Sequence, residues 1–190
     1  MPDKPTDWSL VEQVKAGDDR AFDALMARYK LPVLNFVYRM TGDGSEAEDV
    51  AQEVFVDAYR TIRKPSFHRT TAQFSTWLFQ VARNAALDSL RHRKRHPAES
   101  LSVLEENGAM LAGAARTAQE ESADKETGQK IAAAVALLPE DQRSALILSE
   151  YEDRSYAEIA AVLKCSLKSV EARLYRAKHF LRDRLRNLLE

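Results

Sequence analysis

Apolar side chains recur at helical spacing along much of this chain, and that spacing limits its fold more than any other feature. Side chains three and four positions apart share one face of a helix, so each such stripe predicts an amphipathic helix. Gly and Pro number six each in 190 residues, which leaves few turns for a many-stranded β protein. The sequence therefore predicts an all-α fold. The clearest stripes are Ala21, Phe22, Leu25 and Met26, then Leu31, Leu34 and Tyr38, and then Val50, Val54, Ala58 and Ile62.

Composition divides the chain into two helical units and a connecting segment. The segment 97–130 is rich in Ala, Glu, Ser and Gly and has few large apolar side chains after Leu111. Such a segment buries too little surface to offset the entropy cost of ordering it. We interpret it as a flexible acidic linker between a first domain at 1–96 and a smaller domain at 131–190, where the apolar stripes return.

The counts of special residues exclude several classes of protein. A single cysteine, Cys165, excludes an internal disulfide, and four scattered histidines lack the spacing of a zinc site. We interpret Cys165 as a small buried apolar residue rather than a redox switch. The chain has neither a signal-peptide pattern nor ~18 consecutive apolar residues, so we predict a cytoplasmic protein without membrane insertion. We expect no metal, no other cofactor and no catalytic residue.

Charge is strongly segregated although the net charge is only −1. Residues 40–59 contain six acids and no base, whereas residues 60–96 contain nine bases and one acid. Residues 164–186 contain eight bases and two acids. A single basic block is usually a solvated helix face, but two blocks on a small chain indicate contacts with a polyanion.

The stretch "SYAEIAAVLKCSLKSVEARLYRAK", which begins at Ser155, predicts a helix-turn-helix. Ser155 and Glu158 form a capping-box pattern, and Ser166 is a candidate N-cap for the second helix. The predicted turn at 164–166 has Lys164 where such turns often have Gly, and a left-handed lysine there would cost ~1 kcal/mol. The two helices would bury Tyr156, Ile159, Ala160 and Leu163 from the first and Val170, Leu174 and Ala177 from the second.

The second helix of a DNA-reading helix-turn-helix enters the major groove, where its exposed side chains meet bases and phosphates. The alternative is a helical hairpin whose charges only confer solubility. The predicted contact residues for an upstream DNA element are Lys168, Ser169, Glu171, Ala172, Tyr175, Arg176 and Lys178.

Five motifs, which follow one another along nearly the whole chain, add to the evidence for a DNA-binding protein. They are "AGDDRAFDALMARY" from Ala16, "EAEDVAQEVFVDAYR" from Glu46, "FSTWLFQVARNAALDSLRHRKR" from Phe74, "LPEDQRSALILSEYEDRSYAEIA" from Leu138 and "SLKSVEARLYRAKHFLR" from Ser166. Together they resemble bacterial sigma factors of the extracytoplasmic-function group, group 4 of the sigma-70 family. The resemblance implies a region 2 domain, a region 4 domain and no region 3.

The resemblance implies that the second motif binds core RNA polymerase through the coiled coil of its β′ subunit. The core stripe of this helix turns an acidic ridge outward, as a docking face requires. The binding residues would be Asp49, Gln52, Glu53 and Phe55. Two alternatives remain at this point: a merely solvated acidic face, and a nuclease-like metal site built from Asp43, Glu46, Asp49 and Glu53.

The third motif and the loop before it are implied to recognise and open a downstream promoter element. Strand opening needs a pocket with an aromatic wall and polar edges to hold an unstacked base. We predict the contact residues Phe67, His68, Arg69, Arg83, Asn84 and Arg91. We place Trp77 in the apolar core rather than in the stack of bases.

The predicted function is therefore that of a non-enzymatic RNA polymerase sigma factor that directs initiation at promoters. The implied partners are core polymerase, including its β flap, promoter DNA and an anti-sigma factor. Three rivals remain: a repressor or activator that acts without polymerase, a nuclease or recombinase, and a sigma mimic that only titrates an inhibitor.

Overall fold

The computed structural model describes residues 5–70, 72–96 and 118–186, with only the backbone described for 118–126. These residues contain helices and no strand, which confirms the all-α prediction. No helix among them is both long and apolar enough to cross a membrane. The helices are α1 Asp7–Lys15, α2 Asp19–Thr41, α3 Gly44–Ile62, α4 Phe74–Arg95, α5 Ala118–Ala136, α6 Glu140–Glu150, α7 Tyr156–Leu163 and α8 Leu167–Arg184.

Short polar side chains begin most of these helices. Each accepts a hydrogen bond from a backbone N–H of the first turn, which would otherwise lack an intrahelical partner. These caps explain why the elements begin where they do. The capping residues are Thr6 for α1, Asp18 for α2, Asp43 for α3, Ser155 for α7 and Ser166 for α8.

The first unit is built around α2, which packs against α1, α3 and α4. The ring of Phe36 on α2 meets Phe79 on α4 edge to face, with centroids 5.5 Å apart, and neither side chain is exposed. Phe22 makes a similar contact with Tyr59 on α3, at 5.0 Å. Edge-to-face aromatic pairs add to the stabilisation from apolar burial. The α2–α4 contact therefore fixes the helix that carries half of the predicted downstream contacts.

The second unit does not stand apart from the first. Helix α6 packs against α2, and α7 packs against α4. Leu148 on α6 and Ile159 on α7 belong to the same buried apolar cluster as Phe36 and Phe79. No pattern in the sequence predicts how the two units lie relative to one another, and the structure shows that they share one core.

Two arginines bridge the units: Arg143, which is buried, and Arg154, which is partly buried. Arg143 on α6 donates to the carbonyl of Met40 near the end of α2, at 2.7 Å, and to the carbonyl of Leu138 at 3.0 Å. Arg154, in the loop between α6 and α7, donates to the Ser75 hydroxyl at 3.0 Å and lies 4.9 Å from the centre of the Phe79 ring. Burial lowers the pKa of Arg143 from its usual value.

Helix α5 differs from the predicted linker. The helix begins at Ala118, inside the range 97–130, and residues 97–117 lie outside those that the structure describes. The linker prediction was based on the shortage of large apolar side chains, and that shortage limits how much surface the segment can bury. Ala, Glu, Gln and Lys nevertheless have high intrinsic helix propensity, and they dominate 118–130.

Glu152 lies at the boundary between the units, in the loop after α6. Burial raises the pKa of its carboxyl to about 7, although the positive charges of Arg154 and Arg39 oppose this effect and the negative charge of Asp153 adds to it. Arg39 belongs to α2, and its guanidinium lies 4.0 Å from the ring centre of Tyr151 in the same loop. The loop therefore places an ionisable group of the second unit against the first.

The shared core predicts that a cavity in the second unit will destabilise the first. Leu148→Ala removes a fully buried side chain and should lower the free energy of unfolding by ~2–5 kcal/mol. Both tryptophans, Trp8 and Trp77, belong to the first unit, so their fluorescence reports its unfolding. For Leu148→Ala, we expect the unfolding transition seen by tryptophan fluorescence to occur at a lower denaturant concentration. Leu137→Ala, at a 57% exposed position, should move it little. A fluorescence transition unaffected by Leu148→Ala would contradict the shared core.

The raised pKa of Glu152 predicts a pH dependence of stability. The unfolded carboxyl loses its proton near its ordinary pKa of 4.5, whereas the folded one keeps it to about pH 7. The free energy of unfolding should therefore fall as pH rises through this interval, and the loss should be complete above it. Glu152→Gln should remove this contribution, as measured by denaturant unfolding at successive pH values. Glu12→Gln, at an exposed position on α1, is the control. Parallel pH profiles for Glu152→Gln and the unmodified chain would contradict the assignment.

Candidate functional site

The predicted acidic ridge lies on the exposed side of α3. Asp49, Gln52 and Glu53, which we call the acidic face, are all exposed, and Val56 beside them is 47% exposed. The face points outward because Val50 and the rest of the stripe beneath it are buried against α2 and α4. Neither Asp49 nor Glu53 forms an ion pair with any residue that the structure describes. This surface can therefore attract a basic partner.

Phe55 is a correction to the predicted polymerase-binding set. Its side chain is only 7% exposed and belongs to the main apolar cluster. Phe55 lies four residues after Ala51 and three before Ala58, and both of these are buried, so its ring shares their inward face of α3. Phe55 supports the helix and is not part of its outer surface.

Two of the four carboxylates considered as a metal site, Asp43 and Glu46, are engaged in other contacts. Asp43 caps α3 by accepting from the N–H of Glu46 at 3.0 Å. Glu46 in turn accepts from Arg93 on α4 at 2.8 Å and from the Ser89 hydroxyl. Among the residues that the structure describes, no three His, Cys, Asp or Glu side chains form a group that could hold a metal ion. The acids therefore cap α3, link it to α4 or face outward.

A groove of about 880 Å³ runs between α3 and α4. Asp49, Glu53 and Asp57 line its α3 wall, and Asn84 and His92 lie on the α4 wall. Asn84 is exposed, as predicted. It faces a wall that carries negative charge, however, so its position favours contact with a neutral base edge over contact with a phosphate.

The loop between α3 and α4 holds three predicted DNA contacts beside an aromatic cluster. Phe67 is half-buried, with its ring centroid 4.8 Å from that of Trp77 and 6.2 Å from that of Trp8. His68 and Arg69 are exposed, and His68 Nδ1 lies 2.8 Å from the Ser66 carbonyl oxygen. Trp77 is packed against the apolar core, as predicted. Its ring also contacts the ring of Phe67. The loop thus presents an aromatic surface with polar and basic edges.

Three α4 residues extend from this cluster along one side of the helix. Trp77, Asn84 and Arg91 are separated by seven positions each, so they repeat nearly every two turns on one face. Arg91 is exposed and pairs with Asp88 at 2.8 Å. The structure therefore places Phe67, Asn84 and Arg91 along a single edge of the first unit.

Arg83 is a second correction. The sequence placed it on the exposed side of α4, but only 15% of its side chain is exposed. Its Nη2 donates to Asp141 Oδ1 at 2.5 Å, and its Nε donates to the Ser144 hydroxyl at 3.3 Å. Both partners belong to α6, so Arg83 points away from the edge formed by Asn84 and Arg91. The error follows from the unpredicted contact between the two units.

The helix-turn-helix is formed by α7 and α8, joined at the predicted turn. Ser155 and Glu158 complete the capping box, and Val170 is fully buried between the helices. Lys164 takes the left-handed conformation, with φ 50° and ψ 49°. The N–H of Cys165 donates to the Ala160 carbonyl at 3.0 Å, which closes the end of α7. Tyr156 is 44% exposed, so its predicted place in the core is wrong.

The outer side of α8 is open along most of its length. Tyr175 is 72% exposed, and the predicted contacts Ser169 and Ala172 are partly covered. Lys178 pairs with Glu150 of α6 at 2.9 Å, and this hydrogen bond lowers the pKa of the Glu150 carboxyl. Four other predicted contacts besides Tyr175 are exposed: Lys168, Glu171, Arg176 and Lys178. The surface suits a negatively charged ligand that follows the helix.

Sequence reasoning missed the polar residues that join the two units. One signal was present: the run from Arg143 to Leu148 is buried at every position, and four of its members are apolar. Adjacent apolar residues on all sides of a helix indicate one that is covered on more than one side. Helix α6 packs against α2, α7 and α8. The run could have predicted that α6 lies inside a larger body, although not which helices cover it.

Both units match described protein families. Residues 25–96 match the family model for Sigma-70 region 2, and residues 128–181 match the model for Sigma-70, region 4. The RNA polymerase sigma-H factor of Pseudomonas aeruginosa is 37% identical over 188 residues, which cover 96% of this chain and 95% of that protein. The ECF RNA polymerase sigma-E factor of Escherichia coli is 33% identical over 193 residues, with 100% and 99% coverage.

A solved structure matches the arrangement of the helices as well. It is that of CnrH in complex with the cytosolic domain of CnrY, with a TM-score of 0.69 and 27% identity. The match covers 95% of this chain and 97% of the CnrH-complex chain compared. The similarity therefore extends over both units and over the order in which they occur.

Proposed function

Because the chain belongs to the extracytoplasmic-function sigma factors of the sigma-70 family and directs promoter-specific initiation by RNA polymerase, we propose which of its surfaces meet polymerase and which meet DNA. The family consists of non-enzymatic initiation factors. The observation that carries the assignment is the separation of charge: the acidic face of α3 and the basic outer side of α8 are both exposed, on different helices. We also assign the chain to group 4, the compact subgroup.

The acidic face binds core polymerase, at the coiled coil of the β′ subunit. Asp49 and Glu53 have no competing ion pair within the described part of the chain, so a basic partner does not have to displace one. Exposed complementary charges mainly accelerate association and select the partner. Gln52 adds a hydrogen-bonding group between them, and the exposed side chain of Val56 supplies apolar area. Phe55 contributes by holding α3 in place.

The edge from Phe67 to Arg91 binds and opens the downstream promoter element. An unstacked base requires an aromatic surface and polar groups that meet its edge. Phe67, supported from below by Trp77, supplies the aromatic surface, whereas His68, Arg69 and Asn84 supply the polar groups. Arg91 lies farther along α4 and is placed to meet the backbone.

The outer side of α8 reads the upstream element in the major groove. Lys168 and Glu171 lie in the first half of the helix, where such helices approach base edges. Tyr175, Arg176 and Lys178 follow along the same exposed surface and suit phosphates or guanine. We also propose that the second unit binds the β flap of polymerase and that an anti-sigma factor is a further partner.

Reversal of charge on the acidic face should abolish polymerase binding. Asp49→Arg combined with Glu53→Arg replaces two exposed acids with bases, so the face would repel a basic partner. We expect the variant to fold normally by circular dichroism but to fail to assemble with purified core polymerase in a pull-down. Transcription from a cognate promoter should fail with it.

The matched control is Glu12→Arg combined with Asp23→Arg, which makes the same change in net charge at exposed positions of α1 and α2. This control should assemble and transcribe. Normal assembly by the Asp49 and Glu53 variant would show that the docking face lies elsewhere. A chain that assembles with polymerase but never supports transcription would favour the sigma-mimic rival.

Arg176→Ala tests the upstream surface. Binding to upstream-element duplex should weaken by ~1–3 kcal/mol if Arg176 contacts a base. If Arg176 contacts a phosphate instead, the slope of log affinity against log salt concentration should become shallower by about one. Fluorescence anisotropy of labelled duplex at several salt concentrations distinguishes the two. Arg182→Ala, on a different side of α8, is the control. Unchanged affinity and unchanged salt slope would remove Arg176 from the interface.

A further inference from the structure

We propose that Trp8 and Lys15 of α1 are positioning residues that hold the loop between α3 and α4 in the shape that receives an unstacked base. The inference rests on the proposed function, because it takes the edge from Phe67 to Arg91 as the surface that opens the downstream element. It adds a role for α1, to which the proposed function assigns none.

The loop has few backbone hydrogen bonds of its own. Within residues 64–70 and 72, the bonds between backbone groups run from the N–H of Lys64 to the Thr61 carbonyl at 3.1 Å and from the N–H of Phe67 to the Lys64 carbonyl at 3.0 Å. Both lie in the first half of the loop. A segment with so few internal bonds keeps one conformation only where neighbouring elements hold it.

Helix α1 supplies two such contacts, at separate points. Lys15 Nζ donates to the carbonyl of Phe67 at 2.5 Å, and Trp8 Nε1 donates to the carbonyl of Ala72 at 3.3 Å. In the described part of the chain, these are the two hydrogen bonds that reach the backbone of the loop from another helix. Both donor side chains are partly buried, so water competes less well for the bonds. Helix α1 therefore holds the loop at its aromatic residue and again just before α4 begins.

The two donors lie on one face of a helix that is itself anchored. Trp8 and Lys15 are seven positions apart, so they share a face and are separated by about 10 Å along the helix axis. Helix α1 packs against α2. Asp7 at its start accepts from Arg28 of α2 at 2.7 Å and from the Tyr29 hydroxyl. The face that carries the donors is therefore fixed to the scaffold of the first unit.

Phe67 is held through its ring as well as through its carbonyl. The ring centroid of Trp8 lies 6.2 Å from that of Phe67, on which Trp77 also packs at 4.8 Å. A surface that is ordered before binding loses less conformational entropy when a ligand arrives, so it binds more tightly. Loss of either hydrogen bond from α1 should therefore loosen the loop and weaken its discrimination among bases.

Lys15 also carries a charge, so positioning must be distinguished from direct contact with DNA. It forms no ion pair with a carboxylate in the described residues. A lysine that contacts a phosphate strengthens binding of every sequence alike and steepens the salt dependence. A lysine that positions the loop acts instead on the part of the affinity that depends on the bases.

The test is Lys15→Met in the full chain assembled with core polymerase, because methionine keeps an unbranched apolar stem and lacks the donor. The probes are two labelled single strands: the non-template strand of a promoter that the unmodified assembly transcribes, and the same strand with its downstream element scrambled. We expect anisotropy to show about 5-fold lower affinity for the promoter strand. Affinity for the scrambled strand should change no more than in the control Lys30→Met, which removes the same charge at an exposed site of α2.

Two further variants separate positioning from a general loss of structure. Lys15→Arg retains a donor and should restore most of the preference for the promoter strand. Trp8→Phe retains an aromatic ring but removes the indole N–H, and it should lower the preference as Lys15→Met does. All of these variants should assemble with core polymerase and bind upstream-element duplex normally, since those surfaces lie on α3 and α8.

Three outcomes would overturn the inference. They are an unchanged preference in both Lys15→Met and Trp8→Phe, an equal fall in affinity for both strands, which would make Lys15 a phosphate contact, and failure of Lys15→Arg to restore the preference. Failure of the proposed function looks different, because then the unmodified assembly would itself bind the promoter strand and the scrambled strand equally. That result would overturn both.

Discussion

The buried guanidinium of Arg143 is the contact on which the arrangement of the helices depends. It forms no ion pair with a carboxylate in the described part of the chain, and it donates instead to carbonyl groups of Met40, Ala136 and Leu138. These carbonyls lie at or just beyond the C-terminal ends of α2 and α5, where unpaired oxygens and the helix dipole favour a positive charge. A buried cation is tolerated only where such acceptors surround it. The ends of both helices are consequently held at fixed positions around α6.

Local patterns predicted the helices, their caps and the helix-turn-helix because these features depend on residues a few positions apart. Ser155 with Glu158, and the stripe that includes Val50 and Val54, formed as expected. The errors at Phe55 and Arg83 have another origin. Each of these side chains lies at the margin of a helix face, where burial depends on which helix packs alongside. That neighbour comes from residues distant in sequence, so periodicity does not reveal it.

Charge counting along the sequence overstated the basic surface of the first unit. Of the nine bases in residues 60–96, Arg83 and Lys94 pair with α6, Arg93 pairs with Glu46, and Arg63 pairs with Asp19. Arg60 and Arg91 pair with Asp57 and Asp88 on their own helices. The bases that remain exposed without an ion pair are Lys64 and Arg69 near the loop and Arg95 at the end of α4. The positive charge of this unit that is free of acidic partners is therefore confined to the two ends of α4 and the loop before it.

The left-handed backbone at Lys164 has a consequence for the robustness of the second unit. An amino acid with a β-carbon costs roughly 1–2 kcal/mol more than glycine in that conformation. Glycine would relieve the strain, but it would also remove an exposed ammonium group three residues before α8 begins at Leu167. That group lies close in sequence to the exposed Lys168. Glycine at position 164 would favour thermal stability, whereas lysine favours attraction of a polyanion. The chain has lysine there and so retains the charge.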